Sequence, residues 1–182
     1  ALSYVRRGWI VIPLKPRDKK PETRLLPRRK WSALLEKPPT AEQVEAWFAR
    51  EPALNVGIAL GMASGGLVCI DVDHPEKAAG LPLPRTVTAQ SARGYHHFYV
   101  ANRPVRSRSF PWGELRAEGN YVVAVGSIHP SGFVYRWLIS PDEAEIADLP
   151  EWWIAASEGH DVSNDAPHTH PPILSTWYPS ST

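Results

Sequence analysis

The stretch Leu67-Val68-Cys69-Ile70-Asp71-Val72-Asp73 sets the tightest constraint on this chain. An apolar run ends in two carboxylates separated by one residue. On a strand, residues i and i+2 point to the same face, so Asp71 and Asp73 project together. Two carboxylates a few ångströms apart repel, and each raises the other's pKa unless a cation lies between them. Oxygen ligands of this kind select Mg²⁺ or Mn²⁺. The same residues also suit a strand that simply runs into a polar turn at His74-Pro75.

Further features share that chemistry. In Gly94-Tyr95-His96-His97-Phe98-Tyr99, adjacent strand histidines face opposite sides, so His96 shares a face with Phe98 and His97 with Tyr99. The preceding Arg93-Gly94 offers a cation and close backbone access, both useful to a phosphate group. Glu114-Leu115-Arg116 places another acid at a strand start. Beyond it comes Val125-Gly126-Ser127-Ile128-His129-Pro130-Ser131-Gly132, a turn with two hydroxyls and an imidazole. Such groups hydrogen-bond phosphate oxygens, although a plain polar turn has the same composition. Three carboxylates, a histidine, a Ser/His turn and flanking arginines together make the kit for two-metal phosphoryl or nucleotidyl transfer.

Organisation along the chain is α/β, of the α+β kind. Residues 1–7 predict a helix stopped by Gly8, and residues 9–14 a strand. The basic, proline-punctuated stretch 17–30 reads as a loop. Thr40 and Gln43 form a capping box for a helix that buries Val44, Trp47 and Phe48 and ends before Pro52. Strands are predicted over 55–60, 67–73, 86–91, 95–101, 114–117, 121–125 and 133–138. The turn Glu118-Gly119-Asn120 predicts a hairpin between two of them. Residues 151–157 read as a short helix. The expected division is one domain over 1–160 and a Pro-rich tail or linker over 161–182.

Composition limits the alternatives. With 182 residues, 43% hydrophobic and 21% charged, the chain has material for one real core. No apolar stretch approaches the roughly 20 residues of a membrane-spanning helix. The N-terminal charges are in the wrong order for a secretory signal. One cysteine, Cys69, leaves no disulfide framework and no cysteine-based zinc site. These points predict a soluble, cytoplasmic protein with no membrane partner. The net charge of +1 conceals an uneven distribution. Residues 1–31 carry ten Lys/Arg against two acids, residues 85–116 six Arg against one acid, and residues 140–165 eight acids and no Lys/Arg. Basic stretches of this kind suit a polyanion such as nucleic acid or nucleotide phosphates, and also an ordinary solvated surface.

The order of these motifs resembles the bifunctional primase–polymerase (prim-pol) domain of the archaeo-eukaryotic primase superfamily. The resemblance covers residues 1–138. It begins at Gly8-Trp9-Ile10-Val11-Ile12-Pro13-Leu14, continues through Lys19-Lys20-Pro21 and the tryptophan-bearing capped helix, and reaches Asn55-Val56-Gly57-Ile58-Ala59-Leu60-Gly61 and Asp71-Val72-Asp73. The family's histidine motif is similar to Gly94-Tyr95-His96, its third acid to Glu114, and its closing element to Tyr121-Val122-Val123-Ala124 through Ser127, His129 and Gly132. Three departures stand out. The third acid is usually Asp, Arg93 replaces the first glycine of a pair, and Val125-Gly126 replaces a proline before the closing serine.

The resemblance implies an RRM-like, largely antiparallel sheet carrying the acids beside an N-terminal α/β lobe. It implies DNA-templated nucleotidyl transfer, as primase, polymerase or both, with two Mg²⁺ or Mn²⁺ ions on Asp71, Asp73 and Glu114. His96, Ser127, His129, Arg93 and Arg116 would bind the nucleoside triphosphate. Lys20, Arg106 and Arg108 would contact a single-stranded or primed DNA template. It also implies a C-terminal helical or helicase domain in the full-length protein, with residues 163–182 as the start of a linker. Two other readings use the same residues: a catalytically degenerate module that binds single-stranded nucleic acid, and a two-metal nuclease.

Overall fold

The computed structural model describes residues 1–159, so the predicted tail over 161–182 lies outside the described residues. The N-terminal part lays down α1 (Leu2–Arg6), β1 (Val11–Leu14), α2 (Ala33–Glu36), α3 (Ala41–Arg50) and β2 (Asn55–Ala59). Gly8 stops α1 as predicted, with φ +78°, a conformation that costs a glycine little. The Thr40 hydroxyl accepts a hydrogen bond from the Gln43 backbone N–H at 3.2 Å and so caps α3. From α3, Val44 and Trp47 are buried, with Phe48 packed at the rim of the same core.

The remainder is mostly β: β3 (Leu67–Val72), β4 (Thr88–Gln90), β5 (Tyr95–Val100), β6 (Arg108–Phe110), β7 (Gly113–Arg116), β8 (Tyr121–Val123), β9 (Arg136–Ile139) and β10 (Ala147–Asp148), closed by α4 (Glu151–Ser157). Seven strands form one sheet in the order β6-β7-β3-β5-β4-β9, with β10 beside the end of β5. Every pairing is antiparallel except β10 with β5. A second sheet has the order β1-β2-β8. The fold is therefore α+β, a large, mainly antiparallel sheet beside a smaller one.

Two cores result. Leu67, Cys69, Ala89 and Phe98 face the small sheet and α3, joining Ile12, Leu14, Val44 and Ile58. Val68, Ile70, Val72, Tyr99 and Leu115 face the other way, onto Trp112, Trp153 and Ile154. The strand alternation that separates these two sets also decides which polar residues end up between the sheets.

The predicted hairpin across Glu118-Gly119-Asn120 is not formed. Instead β7 pairs with β3 in the large sheet and β8 pairs with β2 in the small one. The turn carries the chain from one sheet to the other. Leu115 and Ala117 belong to one core and Val122 and Val123 to the other, so a hairpin would strand half of these side chains. The turn is held across sheets: Glu118 accepts from the Met62 N–H at 2.6 Å and the Leu60 N–H donates to the Asn120 carbonyl at 2.9 Å. The tight hairpin is one element earlier, where Phe110 pairs with Gly113 across Pro111-Trp112.

Two glycines let the neighbours of β3 close on its C-terminal end. A Cβ on Gly94 would lie 1.9 Å from the Val72 carbonyl oxygen, and one on Gly113 would lie 2.0 Å from that of Asp71. The close approach that Gly94 permits thus serves the protein's own backbone, where the sequence suggested access for a phosphate.

Candidate active site

Asp71 lies between two strands that each present a polar residue directly opposite it. Its partner across β5 is His96 and its partner across β7 is Glu114. Directly paired residues on antiparallel strands share a face, with Cβ atoms about 5 Å apart. The row His96–Asp71–Glu114 therefore follows from register alone. Arg116, two residues after Glu114, adds to the same face. Asp73 follows immediately after β3, where its N–H donates to the Trp112 carbonyl at 3.0 Å.

His96 and Asp71 of this row face the gap between the sheets. A cleft of about 260 Å³ is lined by Lys19, Trp31, Asp71, His96, Arg116 and Tyr121, among others. A smaller adjoining recess brings in Asp73, Ser91, Arg93 and His129. Asp71, Asp73, His96, Arg93, Arg116 and His129 are thus gathered at one place, and Glu114 joins them through Arg116.

Electrostatics hold this cluster together. The Arg116 guanidinium spans two acids, with Nη2 2.8 Å from Glu114 Oε2 and Nε 3.0 Å from Asp71 Oδ2. Arg93 pairs with Asp73 at 2.9 Å. His96 Nε2 lies 3.4 Å from Asp71 Oδ1, while its buried Nδ1 has no hydrogen-bond partner among the described residues. Burial lowers the His96 pKa, against the opposing pull of the Asp71 charge. Tyr135, whose ring centroid lies 5.8 Å from that of His96, has its pKa pushed up to about 12 by burial and then by Asp71 and Asp73. It stays a neutral wall of the site.

His129 accepts from the Ser131 N–H through Nδ1 at 3.1 Å, which leaves Nε2 to carry the proton of the neutral ring. Partial burial and the positive charges of Lys19 and Arg93 lower its pKa. The turn bearing His129 is fixed by Asn55. The Asn55 side chain accepts from the Ile128 N–H at 2.9 Å and donates to the carbonyls of Ile128 at 2.7 Å and Asp18 at 2.9 Å. One buried amide thus ties the basic loop and the His129 turn to the start of β2.

Other predicted residues are placed elsewhere. Ser127 is fully buried; its hydroxyl accepts from the Val56 N–H at 2.9 Å and sits 3.2 Å from the Val56 carbonyl. That hydroxyl clasps the small sheet, and Ser127 is not among the residues lining the cleft or its recess. Lys19 lines the cleft, and its neighbour Lys20 does not. Arg108 donates to the Ala156 carbonyl at the end of α4 and lies over the Phe110 ring, so it braces the far side of the large sheet. Arg106 is exposed on the segment leading to β6. Sequence reasoning missed Lys19, Asn55 and Tyr135. Only Asn55 carried a usable signal, as a polar residue opening an otherwise apolar strand.

Among the described residues, no group of three His, Cys, Asp or Glu side chains is close enough together to hold a metal ion as it stands. The donor set nevertheless fits a hard cation. Asp71 and Glu114 already share one positive charge, the Arg116 guanidinium, and both present carboxylate oxygens to it.

A family model described as bifunctional DNA primase/polymerase, N-terminal (Prim-Pol), matches residues 1–152. The chain belongs to this family. The Prim-Pol match takes in both sheets and the whole candidate site. No curated protein matches the chain. Prim-Pol domains act in DNA primase/polymerase-type nucleotidyl transfer on DNA and nucleotide substrates, generally with divalent metals. No helix among the described residues is long and apolar enough to cross a membrane.

Proposed function

We propose that this chain is itself an active DNA-templated nucleotidyltransferase, a primase, a polymerase or both, working at the Asp71 row. The observation that carries the reading is the row His96–Asp71–Glu114, whose His96 and Asp71 line a cleft and adjoining recess that also gather Asp73, Lys19, Arg93 and His129, with Glu114 tied in through Arg116. Acids to hold cations and cations to hold phosphates meet at one place, in a chain of a family that makes DNA.

Asp71, Asp73 and Glu114 would hold two Mg²⁺ or Mn²⁺ ions. When bound, such ions lower the pKa of a primer 3′-hydroxyl and stabilise the departing pyrophosphate. The chain's own groups do the positioning. Lys19 and Arg93 neutralise triphosphate charge, and His129 donates a hydrogen bond from Nε2. His96, buried and neutral at pH 7, orients Asp71 without adding a competing positive charge. The exposed basic loop around Lys20 would track the template backbone, with salt-sensitive affinity.

The test is extension of a labelled primer on a DNA template with Mn²⁺ and all four deoxynucleoside triphosphates, beside Asp71→Ala/Asp73→Ala and a lane without primer. Template-directed products should fall by at least about 10³-fold in the double variant. Products in the primer-free lane would add primase activity. A ladder of shortened primers would make the protein a nuclease, and intact DNA binding with no extension would make it a binding module.

A further inference from the structure

We infer that Arg116 is a built-in counter-ion that holds the place of a divalent cation between Asp71 and Glu114 and must be displaced when a metal binds. This rests on the proposed role of those acids as metal ligands.

Arg116 and Glu114 are two residues apart on β7, and Asp71 is directly opposite Glu114 on β3, so all three share one face. The guanidinium reaches an oxygen of each carboxylate at ordinary ion-pair distance, 3.0 and 2.8 Å. Asp71 is largely shielded from water, with a side chain 10% exposed. A carboxylate in that setting needs a cation nearby, and the Arg116 guanidinium supplies one at 3.0 Å.

The pairing is also built to be surrendered. Buried Arg116 Nε lies 3.0 Å from Asp71 Oδ2 without hydrogen-bond alignment, so attraction of charge holds it rather than directed bonding. Its side chain is 31% exposed and faces the cleft, which gives the guanidinium somewhere to go. A divalent ion carries twice the charge, and a bare ion such as Mg²⁺ approaches carboxylate oxygens more closely than a guanidinium can. Ion and guanidinium compete for the same oxygens. The released guanidinium stays on β7 at the cleft wall, as a planar fork suited to phosphate. Metal loading and triphosphate capture are then coupled, each favouring the other by the same factor. Arg93 on Asp73 is a weaker version of the device, because its side chain is 61% exposed.

The test is Mn²⁺ binding to the full chain, followed by the electron-paramagnetic-resonance signal of free Mn²⁺, with no nucleotide or DNA present. Arg116→Gln should bind Mn²⁺ roughly five- to tenfold more tightly than the unmodified chain, the size expected from removing one partly exposed competing charge. Arg116→Lys should fall between them, and it decides the matter if the glutamine variant does not fold. Without metal, Arg116→Gln should melt at lower temperature, and Mn²⁺ should restore the difference. Equal or weaker Mn²⁺ binding in both Arg116 variants overturns the inference. Asp71→Asn separates the two levels. If it abolishes Mn²⁺ binding while the Arg116 variants bind no better, the counter-ion idea alone fails. If it leaves Mn²⁺ binding unchanged, the acids are not the ligands and both readings fall.

Discussion

Two adjacent histidines on β5 live in opposite chemistry. His96 faces the gap between the sheets, 3.4 Å from a carboxylate, with one ring nitrogen buried and without a hydrogen-bond partner among the described residues. His97 faces the sealed core, where its Nδ1 lies 3.1 Å from the Thr88 hydroxyl, opposite Ile70 on β3. Both are buried, so burial alone does not tell the two environments apart. What distinguishes them is whether polar partners complete the environment. The sealed face gives its histidine a hydroxyl partner, while the open face balances its acids with arginines at the cleft. A sheet covered on one side and gapped on the other makes both from one strand.

The substitution that should erase the difference is Gly113→Ala. A Cβ there meets the Asp71 carbonyl oxygen at 2.0 Å, so β7 must retreat from β3 and both faces suffer together. A loss of about 3 kcal/mol or more in urea unfolding is expected, with loss of nucleotide addition. Next comes the histidine pair. His97→Ala empties part of a packed core and should cost about 3 kcal/mol while leaving the residual activity of the folded fraction intact. His96→Ala should cost about 1 kcal/mol and lower nucleotide addition roughly 10²-fold. Equal stability losses with equal activity losses would break the comparison.

The pH dependence sharpens it. Burial lowers the His97 pKa from 6.5 to about 3. The unfolded chain takes up this proton near pH 6.5 and the folded chain does not until about pH 3, so the unfolded state binds more protons across that window. Stability is then complete above pH 6.5 and falls as the pH drops, at up to about 1.4 kcal/mol per pH unit from this group. Urea midpoints at pH 7, 6 and 5 should drop less steeply in His97→Gln than in the unmodified chain.

Much of this was legible in the sequence, for physical reasons that can be named. Strand alternation alone separates His96 from His97 and puts Asp71 on the open face. Side-chain capping at Thr40 and the glycine stop at Gly8 are local, and both formed as read. The failures are all non-local. The turn 118–120 has hairpin chemistry, but which sheet receives β8 depends on where Val122 and Val123 find a core. Whether Lys19 or Lys20 enters the cleft depends on a turn in which Asp18 accepts from both backbone N–H groups, so composition cannot choose between them. The strand β6 escaped because its short, charged sequence acquires strand geometry only by pairing with β7.

Ser127 offers the finest test, because it sits two residues from His129 in the same turn and yet behaves like the sealed face. Its hydroxyl is the acceptor for the Val56 N–H, so Ser127→Ala leaves a buried donor unsatisfied. The expected cost is about 1–2 kcal/mol. Affinity for a fluorescent nucleoside triphosphate should stay within about twofold, because the hydroxyl never faced the cleft. His129→Ala should do the reverse, weakening triphosphate binding several-fold, the loss of one hydrogen bond to a charged group, for less than about 0.5 kcal/mol of stability. A Ser127→Ala variant that loses triphosphate binding at full stability would mean that the serine turns outward when ligand arrives. The boundary between open and sealed faces would then be set by the ligand rather than by the sheet.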